Sequence, residues 1–349
     1  MKTTHFAWIL VAIMASSFIF SACEKEDDDA KTSRVDYNYC IRDIQIGNLY
    51  FNLDTTAHVA QVAKPTSTDL DIINIPEVIT YDSVNYGILH IGSKAFKECV
   101  SLRSVTIPKS VYFIEDYAFF GCTGLTNVSI GKNVRDINQY AFSGCTALKN
   151  IVIPDKVSDI GKCSFEDCSG LINVTIGSSV KYIRSEAFKG CTSLTSIYIP
   201  QSVSNISPAA FANCSNITNM AVHKRNSTFD SRDNCNAIIW TDFNILGMGC
   251  KNTIIPNNIT KIGPEAFLEC KNLTSIDIPQ SVANIEAHAF QGCTGLSAIT
   301  RRATIPPTCS VDVFDNVKKS IPVYVPAESV SAYQEADQWR EFMNIQAIQ

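Results

Sequence analysis

A strict repeat with a period of about 23 residues constrains the fold of this chain more than any other feature of the sequence. Phenylalanine recurs at this step, and cysteine recurs with it three positions later. Eight units carry the signature Ala-Phe-x-x-Cys, with Ser164 in place of the alanine once. Self-similarity at a fixed period of this length predicts a solenoid of stacked coils. The two columns are Phe96, Phe119, Phe142, Phe165, Phe188, Phe211, Phe267 and Phe290, and Cys99, Cys122, Cys145, Cys168, Cys191, Cys214, Cys270 and Cys293.

One unit, residues 183–205, shows how a coil is expected to fold. Ile197 and Ile199 flank Tyr198, and this alternation predicts a short strand with the isoleucines inward and the tyrosine outward. Phe188 lies in a compact segment that we expect to form a helical turn with the ring inside. A single coil cannot bury its apolar side, so parallel stacking on its neighbours would create the core.

One coil is longer than the others. Ile206 and Ile262 hold equivalent positions, and the interval between them exceeds two regular coils by about ten residues. Counting back one period from Ile262 places Ile239 at the start of this coil. The excess then falls on Phe229–Ile238, an insertion that we expect to form a protruding hairpin or loop.

The N-terminal part of the fold, residues 37–90, is predicted to be a β cap. The first coil would otherwise expose its apolar side to water. Apolar alternation indicates one hairpin from residues 46–54 and 57–63, and a second from residues 78–80 and 87–90.

The solenoid proper is predicted over residues 91–305, and residues 306–349 should close its other end. Ile321–Pro326 has the alternation of a strand. A helix is expected to follow it from Ala327 through Trp339 to Phe342. A strand-helix cap of this kind would cover the last coil.

Residues 1–22 are typical of a secretory signal peptide rather than of the fold. Lys2 precedes an apolar run from Phe6 to Phe20, which is too short to span a bilayer comfortably. Ser21 and Ala22 then precede Cys23, which resembles a bacterial lipobox and predicts lipidation of Cys23. The alternative is a plain signal-peptidase site with an incidental cysteine.

An acidic tether is predicted over residues 23–36. Glu24–Asp29 contains one lysine among five acidic residues, and such a segment stays solvated. It also resembles the acidic export tag that sends lipoproteins of the Bacteroidetes type to the outer face of the outer membrane. A mere spacer is the alternative.

The repeat motif resembles one known family over about residues 40–349. The unit I-G-x-x-A-F-x-x-C-x-x-L, the segment Asn252–Pro256 and the segment Tyr324–Ser329 are similar to the BspA-like leucine-rich-repeat family. The resemblance implies a β-rich solenoid with a parallel sheet and short helical turns on its other faces. The family comprises bacterial surface proteins implicated in adhesion to host matrix proteins and other cells. The shared residues hold core positions, so they do not identify a ligand.

Cysteines number 14 in this exported chain, a count that ordinarily indicates disulfides. In stacked coils, however, the column cysteines would have parallel Cβ vectors, which disfavours bridges. We therefore expect that column to be buried and reduced. Cys163 stands in a mainly polar column and is expected to be exposed. Cys235 and Cys250 flank the enlarged coil and are candidate disulfide partners.

Charge and motif content argue against nucleic-acid binding and catalysis. The net charge is −5, and no cluster of lysine and arginine matches the footprint of a phosphate backbone. The histidines are scattered singly. The sequence has no glycine-rich phosphate loop, nucleophile elbow or zinc-spaced cysteine and histidine pair. We predict a protein that is not an enzyme and needs no cofactor or metal.

Two groups of residues are candidates for partner binding. The first is the outward row between the strand apolars, where solenoids commonly bind ligands, although small β-forming residues that merely solvate a sheet are the alternative. Its members are Thr106, Ser129, Val152, Thr175, Tyr198, Ala221, Ile254, Asp277 and Thr300. The second group replaces residues that are mainly polar in other coils, and consists of Tyr112, Phe113, Tyr117 and Phe120. These aromatics form either a partner patch or packing beneath the N-terminal cap.

The sequence thus predicts a non-enzymatic cell-surface binding protein, either an adhesin or a protein–protein interaction module. We expect a monomer, held at the membrane only through its lipid anchor, that binds an extracellular protein such as host matrix, or a glycan. A glycan-binding or structural envelope lipoprotein is the alternative. A glycan reader should expose aromatic platforms flanked by polar groups, whereas a protein adhesin should offer a broader row along the sheet.

Overall fold

A computed structural model describes residues 37–349 of the chain. The predicted signal peptide (residues 1–22), the lipidation site Cys23 and the acidic tether (residues 23–36) lie outside the described residues and stay predictions. Within residues 37–349, no helix is both long enough and apolar enough to cross a membrane.

The N-terminal cap contains both expected hairpins. In the first, Phe51 lies opposite Val62 in an antiparallel pair, and in the second Ile79 lies opposite Tyr86. The third strand then runs parallel to the sixth, whose end joins the first coil. The cap strands are β1 (Ile41–Ile46), β2 (Leu49–Asp54), β3 (Val59–Ala63), β4 (Ile72–Asn74), β5 (Val78–Tyr81) and β6 (Val84–Ile91).

Two parallel ladders run along the solenoid, and both advance by one repeat period per coil, as predicted. Ile137 lies beside Ile160, and Ile160 lies beside Ile183. The longer strands are β7 (Ser104–Thr106), β9 (Asn127–Ser129), β11 (Asn150–Val152), β13 (Asn173–Thr175), β15 (Ser196–Ile199), β17 (Asn219–Val222), β22 (Ser275–Ile278) and β24 (Ala298–Arg301). The shorter strands are β8 (Phe113–Ile114), β10 (Asp136–Ile137), β12 (Asp159–Ile160), β14 (Tyr182–Ile183), β16 (Asn205–Ile206), β21 (Lys261–Ile262), β23 (Asn284–Ile285) and β25 (Thr308–Cys309).

The phenylalanine column forms the spine of the core. From Phe96 to Phe211, neighbouring ring centroids are 5.0–5.5 Å apart and the rings are within 11° of parallel. A second stack runs from Phe267 through Phe290 to Phe314. Offset-stacked rings at this spacing add to the stabilisation from their burial.

The column cysteines are buried and free, as predicted. The reason for cysteine at this position is a hydrogen bond to the preceding coil. The Cys122 thiol donates to the Phe96 carbonyl at 3.0 Å, and the Cys293 thiol donates to the Phe267 carbonyl at 3.1 Å. Burial raises the pKa of Cys122 to about 12, so the thiol keeps the proton that this bond needs.

Each coil also makes a tight turn between its two ladders. Its first residue has a left-handed backbone without being glycine, with φ of 58° at Tyr117 and 56° at Tyr140. Four residues later a second left-handed position is glycine in several coils, such as Gly144 with φ of 74°. We call the outward side chains of the first position, and those three residues after it, the turn face. In the five coils from Lys94 to Lys189 these are Lys94, Lys97, Tyr117, Phe120, Tyr140, Ser143, Cys163, Glu166, Glu186 and Lys189, of which Ser143 and Cys163 are covered by their neighbours.

The enlarged coil differs from the prediction in its register. Leu246, and not Ile239, is the parallel neighbour of Ile262, while Ile239 lies opposite Leu246 in an antiparallel pair. The chain doubles back at Asn244, which has a left-handed backbone with φ of 51°. The predicted hairpin is present, but the side chains of Phe229 and Ile238 are buried instead of protruding. The strands are β18 (Phe229–Asp230), β19 (Ala237–Trp240) and β20 (Ile245–Gly249).

This shortened return path interrupts the phenylalanine column. The Gly249 amide donates to the Ala266 carbonyl, just as the Phe267 amide donates to the Ala289 carbonyl one coil later. Gly249 therefore holds a phenylalanine position, and a Cβ there would overlap the ring of Phe267. The first stack ends at Phe211 because no ring follows it in this coil.

The C-terminal cap has a shorter helix than predicted. The helix α1 covers only Val330–Glu335, with single 3₁₀ turns at Ala327–Ser329 and Trp339–Glu341. Gln338 between them has a left-handed backbone with φ of 64°, which a continuous helix cannot contain. The chain ends in a further strand that pairs in parallel with the strand after the last coil. These two strands are β26 (Pro322–Val325) and β27 (Asn344–Ala347).

Candidate binding surfaces

The predicted outward row lies on one side of the longer strands, and we call it the sheet face. The structure places its members side by side, with Thr106 beside Ser129, Val152 beside Thr175 and Tyr198 beside Ala221. The row also continues into both caps, where the repeat did not predict it. Asn74 lies beside Thr106, and Tyr324 lies beside Thr300. Neither residue belongs to the regular unit, so the repeat register gave no signal for them.

Three large apolar side chains of the sheet face are open to solvent. Val152 is 63% exposed, Tyr198 is 52% exposed and Ile254 is 71% exposed. Ile254 belongs to the enlarged coil, where its amide donates to the Cys235 carbonyl, and lies outside the strands. Exposing large apolar side chains to water is unfavourable, whereas burying them against a protein partner is favourable.

Polar side chains two residues earlier in the strands form a second row on the same face. Asn127, Asn150 and Asn173 occupy successive coils, and the Asn173 amide nitrogen donates to Asn150 Oδ1 at 2.8 Å. Asn127 in turn donates to the Ser104 hydroxyl. These amides are exposed and can hydrogen-bond a partner's backbone or side chains.

The predicted aromatic group lies on and beside the turn face, and its ring faces are occupied by neighbours. The Tyr117 ring stacks on Tyr140 at 4.8 Å and 8°. Lys97 lies over the Phe120 ring at 5.4 Å. Sugars bind aromatic platforms through exposed ring faces, which this arrangement restricts.

Tyr112 and Phe113 lie instead at β8, one of the shorter strands. The Arg135 guanidinium covers the Tyr112 ring at 4.9 Å. Phe113 packs on the His90 ring at 5.1 Å, and Tyr39 of the cap contacts the same imidazole at 6.2 Å between ring centroids. For Phe113, this geometry favours the alternative of packing beneath the cap.

A buried polar pair fixes this region. His90 Nδ1 is 2.9 Å from Glu115 Oε1, and both residues are buried. The Asn138 amide nitrogen donates to the other carboxylate oxygen at 3.0 Å. A buried carboxylate needs such partners to offset its loss of hydration, so the three residues join the cap to the first coils.

Cys163 is buried, contrary to the expectation that it would be exposed. The Cys163 thiol donates to a Glu186 carboxylate oxygen at 3.8 Å, and its interaction with the Tyr140 hydroxyl raises the pKa of that tyrosine. Burial raises the pKa of Cys163 itself to about 12. The polar character of its column misled the prediction, because neighbouring large side chains cover the small thiol.

Among the described residues, Cys163, Glu166 and Glu186 form the group that could hold a metal ion, with their ligand atoms within 4.8 Å of one another. The Lys189 ammonium lies 2.9 Å from Glu186 and 3.6 Å from Glu166. An internal cation therefore already balances the charge of these carboxylates, and a metal ion would have to displace it.

The candidate disulfide partners both lie in the enlarged coil as free, buried thiols. The Cys235 thiol faces the Ala237 carbonyl at 3.7 Å, and the Cys250 thiol donates to the Asn236 carbonyl at 3.2 Å. The bridge between them stays a prediction that mass spectrometry of the alkylated protein tests.

The repeat places this chain in a known family. The model of the BspA type leucine rich repeat region matches in six copies over residues 89–231 and 246–334. This chain belongs to that family. The gap between the matched segments coincides with the antiparallel hairpins of the enlarged coil. Membership implies a role in protein binding in general terms, and this solenoid family is typically non-catalytic.

Solved structures of similar fold agree with this assignment. A leucine rich cell surface protein from Faecalibacterium prausnitzii A2-165 is 24% identical, with a TM-score of 0.58, over 88% of this chain and 94% of that one. The pneumococcal vaccine antigen PcpA is 16% identical, with a TM-score of 0.61, over 88% of this chain and 98% of that one. At these identities the likeness extends to the fold alone. Among curated protein sequences, none matches this chain.

Proposed function

We propose that this BspA-type protein is a non-enzymatic cell-surface binding protein whose sheet face receives an extracellular protein. The observation that carries the proposal is the exposure of Val152, Tyr198 and Ile254 along a row whose other members are mostly small or polar. Aromatic and large apolar residues within a polar surround are typical of the centres of protein interfaces. The binding role of the family supports the same conclusion.

The contacts made by the aromatic rings favour a protein partner over a glycan. The Tyr117 and Tyr140 rings stack on each other, and Lys97 lies over Phe120, so these contacts occupy ring faces that a sugar would need. On the sheet face, the rings of Tyr198 and Tyr324 stand in separate coils, and most of the residues between them are small or polar. A row of short side chains suits a broad protein surface better than a sugar ring.

The proposed location is the outer face of the outer membrane, with a lipid on Cys23 and residues 23–36 as tether. The two structural relatives named above support a surface location in general, since one is described as a cell surface protein and the other as a vaccine antigen. Protease shaving of intact cells tests exposure. A Cys23→Ala variant tests the anchor, and its release into the medium is the expected result.

The binding proposal is tested by probing arrays of extracellular matrix proteins and of glycans with the purified chain from residue 24 onward. We expect capture by at least one protein. The double substitution Val152→Ser/Tyr198→Ser should then weaken that binding by about tenfold or more, because buried aromatic anchors carry much of an interface's affinity.

The matched control is Val311→Ser/Ile305→Ser, which removes two exposed apolar side chains outside the sheet face. It should bind as the unaltered chain does. Equal losses in both variants would contradict a specific role for the sheet face. Capture by glycans alone would favour the glycan-binding alternative.

A further inference from the structure

We propose that a cleft at the enlarged coil binds a protonated primary amine. The cleft lies where the turn of residues 209–214 meets the turn of residues 265–270, and we call it the junction cleft. The proposal goes beyond the function proposed above and does not rest on it, because the cleft lies among the turns and the sheet face lies on the strands.

The cleft exists because the enlarged coil supplies no complete turn. In regular coils the Phe188 amide donates to the Ala210 carbonyl of the next coil. The corresponding acceptor for Phe211 is the Ala266 carbonyl, which the Gly249 amide has taken. The Asn213 amide still reaches across and donates to the Leu268 carbonyl at 3.3 Å, and beyond the turns the Asn272 side-chain amide donates to Asn216 Oδ1 at 3.0 Å. The opening that remains is about 20 Å³, enough for one water-sized group.

The lining combines an apolar floor with a half-buried rim. Phe211, Met248 and Phe267 are buried and form part of the floor. Ala209 and Leu268 lie on the rim, where other coils carry longer side chains at the alanine position. A small rim residue leaves room for the aliphatic stem of an entering group.

Two acceptors in the cleft lack donors among the described residues. Asn213 Oδ1 is buried and accepts no hydrogen bond. Glu265 also lines the cleft and makes no ion pair within residues 37–349. Burial raises the pKa of its carboxyl group, with smaller effects from His288, Glu186 and Lys189. Lys189 itself is held by Glu166 and Glu186. A buried acceptor without a donor, such as Asn213 Oδ1, is costly, and a bound donor relieves that cost.

A primary ammonium fits these features better than other small ligands. The ammonium group has three N–H donors and is small enough to enter the opening. Its positive charge complements the Glu265 carboxylate. An anion would meet the Glu265 carboxylate, and a quaternary amine has no proton to donate. Ca²⁺ and Mg²⁺ need about six oxygen ligands, and the cleft offers two side chains. The ammonium could come from a lysine side chain of a bound protein or from a free amine.

The test is a titration of the isotope-labelled chain, from residue 24 onward, followed by the backbone amide signals of residues 209–213 and 265–268. The probes are n-butylammonium and the blocked tripeptide Gly-Lys-Gly, with n-butanol and acetate as controls. We expect saturable shifts with either or both amines and none with the controls. Tighter binding of the tripeptide assigns a protein lysine as the natural ligand, and equal or weaker binding assigns a free amine.

The deciding variant is Glu265→Gln, which keeps the shape of the side chain and removes its charge. It should weaken amine binding about tenfold, because hydrogen bonds to charged groups are the stronger class. Glu269→Gln, four residues away and outside the cleft lining, should bind as the unaltered chain does. Unchanged binding by Glu265→Gln, equal shifts with n-butanol, shifts with acetate, or no saturable shift with either amine would each overturn the proposal.

Discussion

The sheet face and the turn face belong to the same coils, yet their large side chains differ in how far neighbouring residues cover them. On the turn face, Tyr117 stacks on Tyr140 and Lys189 pairs with two glutamates. On the sheet face, Val152 and Tyr198 are more than half exposed. One face satisfies its own side chains, and the other leaves large apolar groups open.

The difference teaches that unusual residues in a repeat need not mark a binding site. Aromatics on the turn face stand out in the sequence because other coils carry polar residues there. In the fold, however, successive coils bring those aromatics into contact with one another. The sheet face spaces its large residues among small ones, so they remain accessible. Substitutions on the two faces should therefore separate stability from binding.

The largest expected effect comes from the buried pair that joins the cap to the first coil. Glu115→Ala should lower the free energy of unfolding by about 3 kcal/mol, because His90 and Asn138 lose a buried acceptor. Chemical denaturation measures this loss. The exposed Glu77, which pairs with Lys109 at the surface, provides the control. Glu77→Ala should change the free energy by less than about 0.5 kcal/mol. Equal effects would show that the buried pair does not hold the cap.

A smaller loss is expected from the left-handed glycine of the turns. Gly144→Ala should cost about 1–2 kcal/mol, because alanine is strained at φ of 74° while its Cβ would meet only ordinary contacts. Gly87→Ala in β6 adds a methyl group to open space without positive φ and should be neutral. Thermal unfolding of the two variants measures the difference. A loss at Gly87 as large as that at Gly144 would indicate that the backbone conformation is not the cause.

The smallest expected stability effect compares a tyrosine on each face directly. Tyr117→Ala should destabilise the protein by about 1 kcal/mol, since it removes a stacked and partly buried ring. Tyr198→Ala should change stability by less than about 0.5 kcal/mol, because its side chain is mostly exposed. Denaturant midpoints provide the measurement. A destabilisation at Tyr198 equal to that at Tyr117 would remove the distinction between the faces.

The repeat made most of the fold predictable from the sequence. The spacing of phenylalanine and cysteine fixed which side chains turn inward, because a strict period repeats the same environment in every coil. The register of the enlarged coil could not be predicted in this way. Ile239 stands one period before Ile262 and is apolar, but Leu246 forms the parallel pair. An antiparallel hairpin inside the coil changes the number of residues between equivalent positions, and the local sequence pattern does not indicate that change.

The candidate surfaces were predictable to a lesser degree. The sheet face followed from the alternation of the strands, apart from Asn74 and Tyr324 in the caps. The sequence predicted neither the contacts that cover the turn-face rings nor the junction cleft. Both depend on contacts between coils, such as the approach of Asn213 to Leu268. For the junction cleft, the sequence spacing across the enlarged coil also gave the wrong register.

Hydroxyl-radical footprinting of the chain, alone and with the most strongly captured matrix protein, tests the central proposal most directly. The method labels solvent-exposed side chains, so Val152, Tyr198 and Ile254 should react in the free chain. On binding, labelling of these residues should fall, while that of Tyr117 and Phe120 should not change. Protection of Tyr117 and Phe120, with the sheet face still reactive, would contradict the proposal that the partner binds the sheet face.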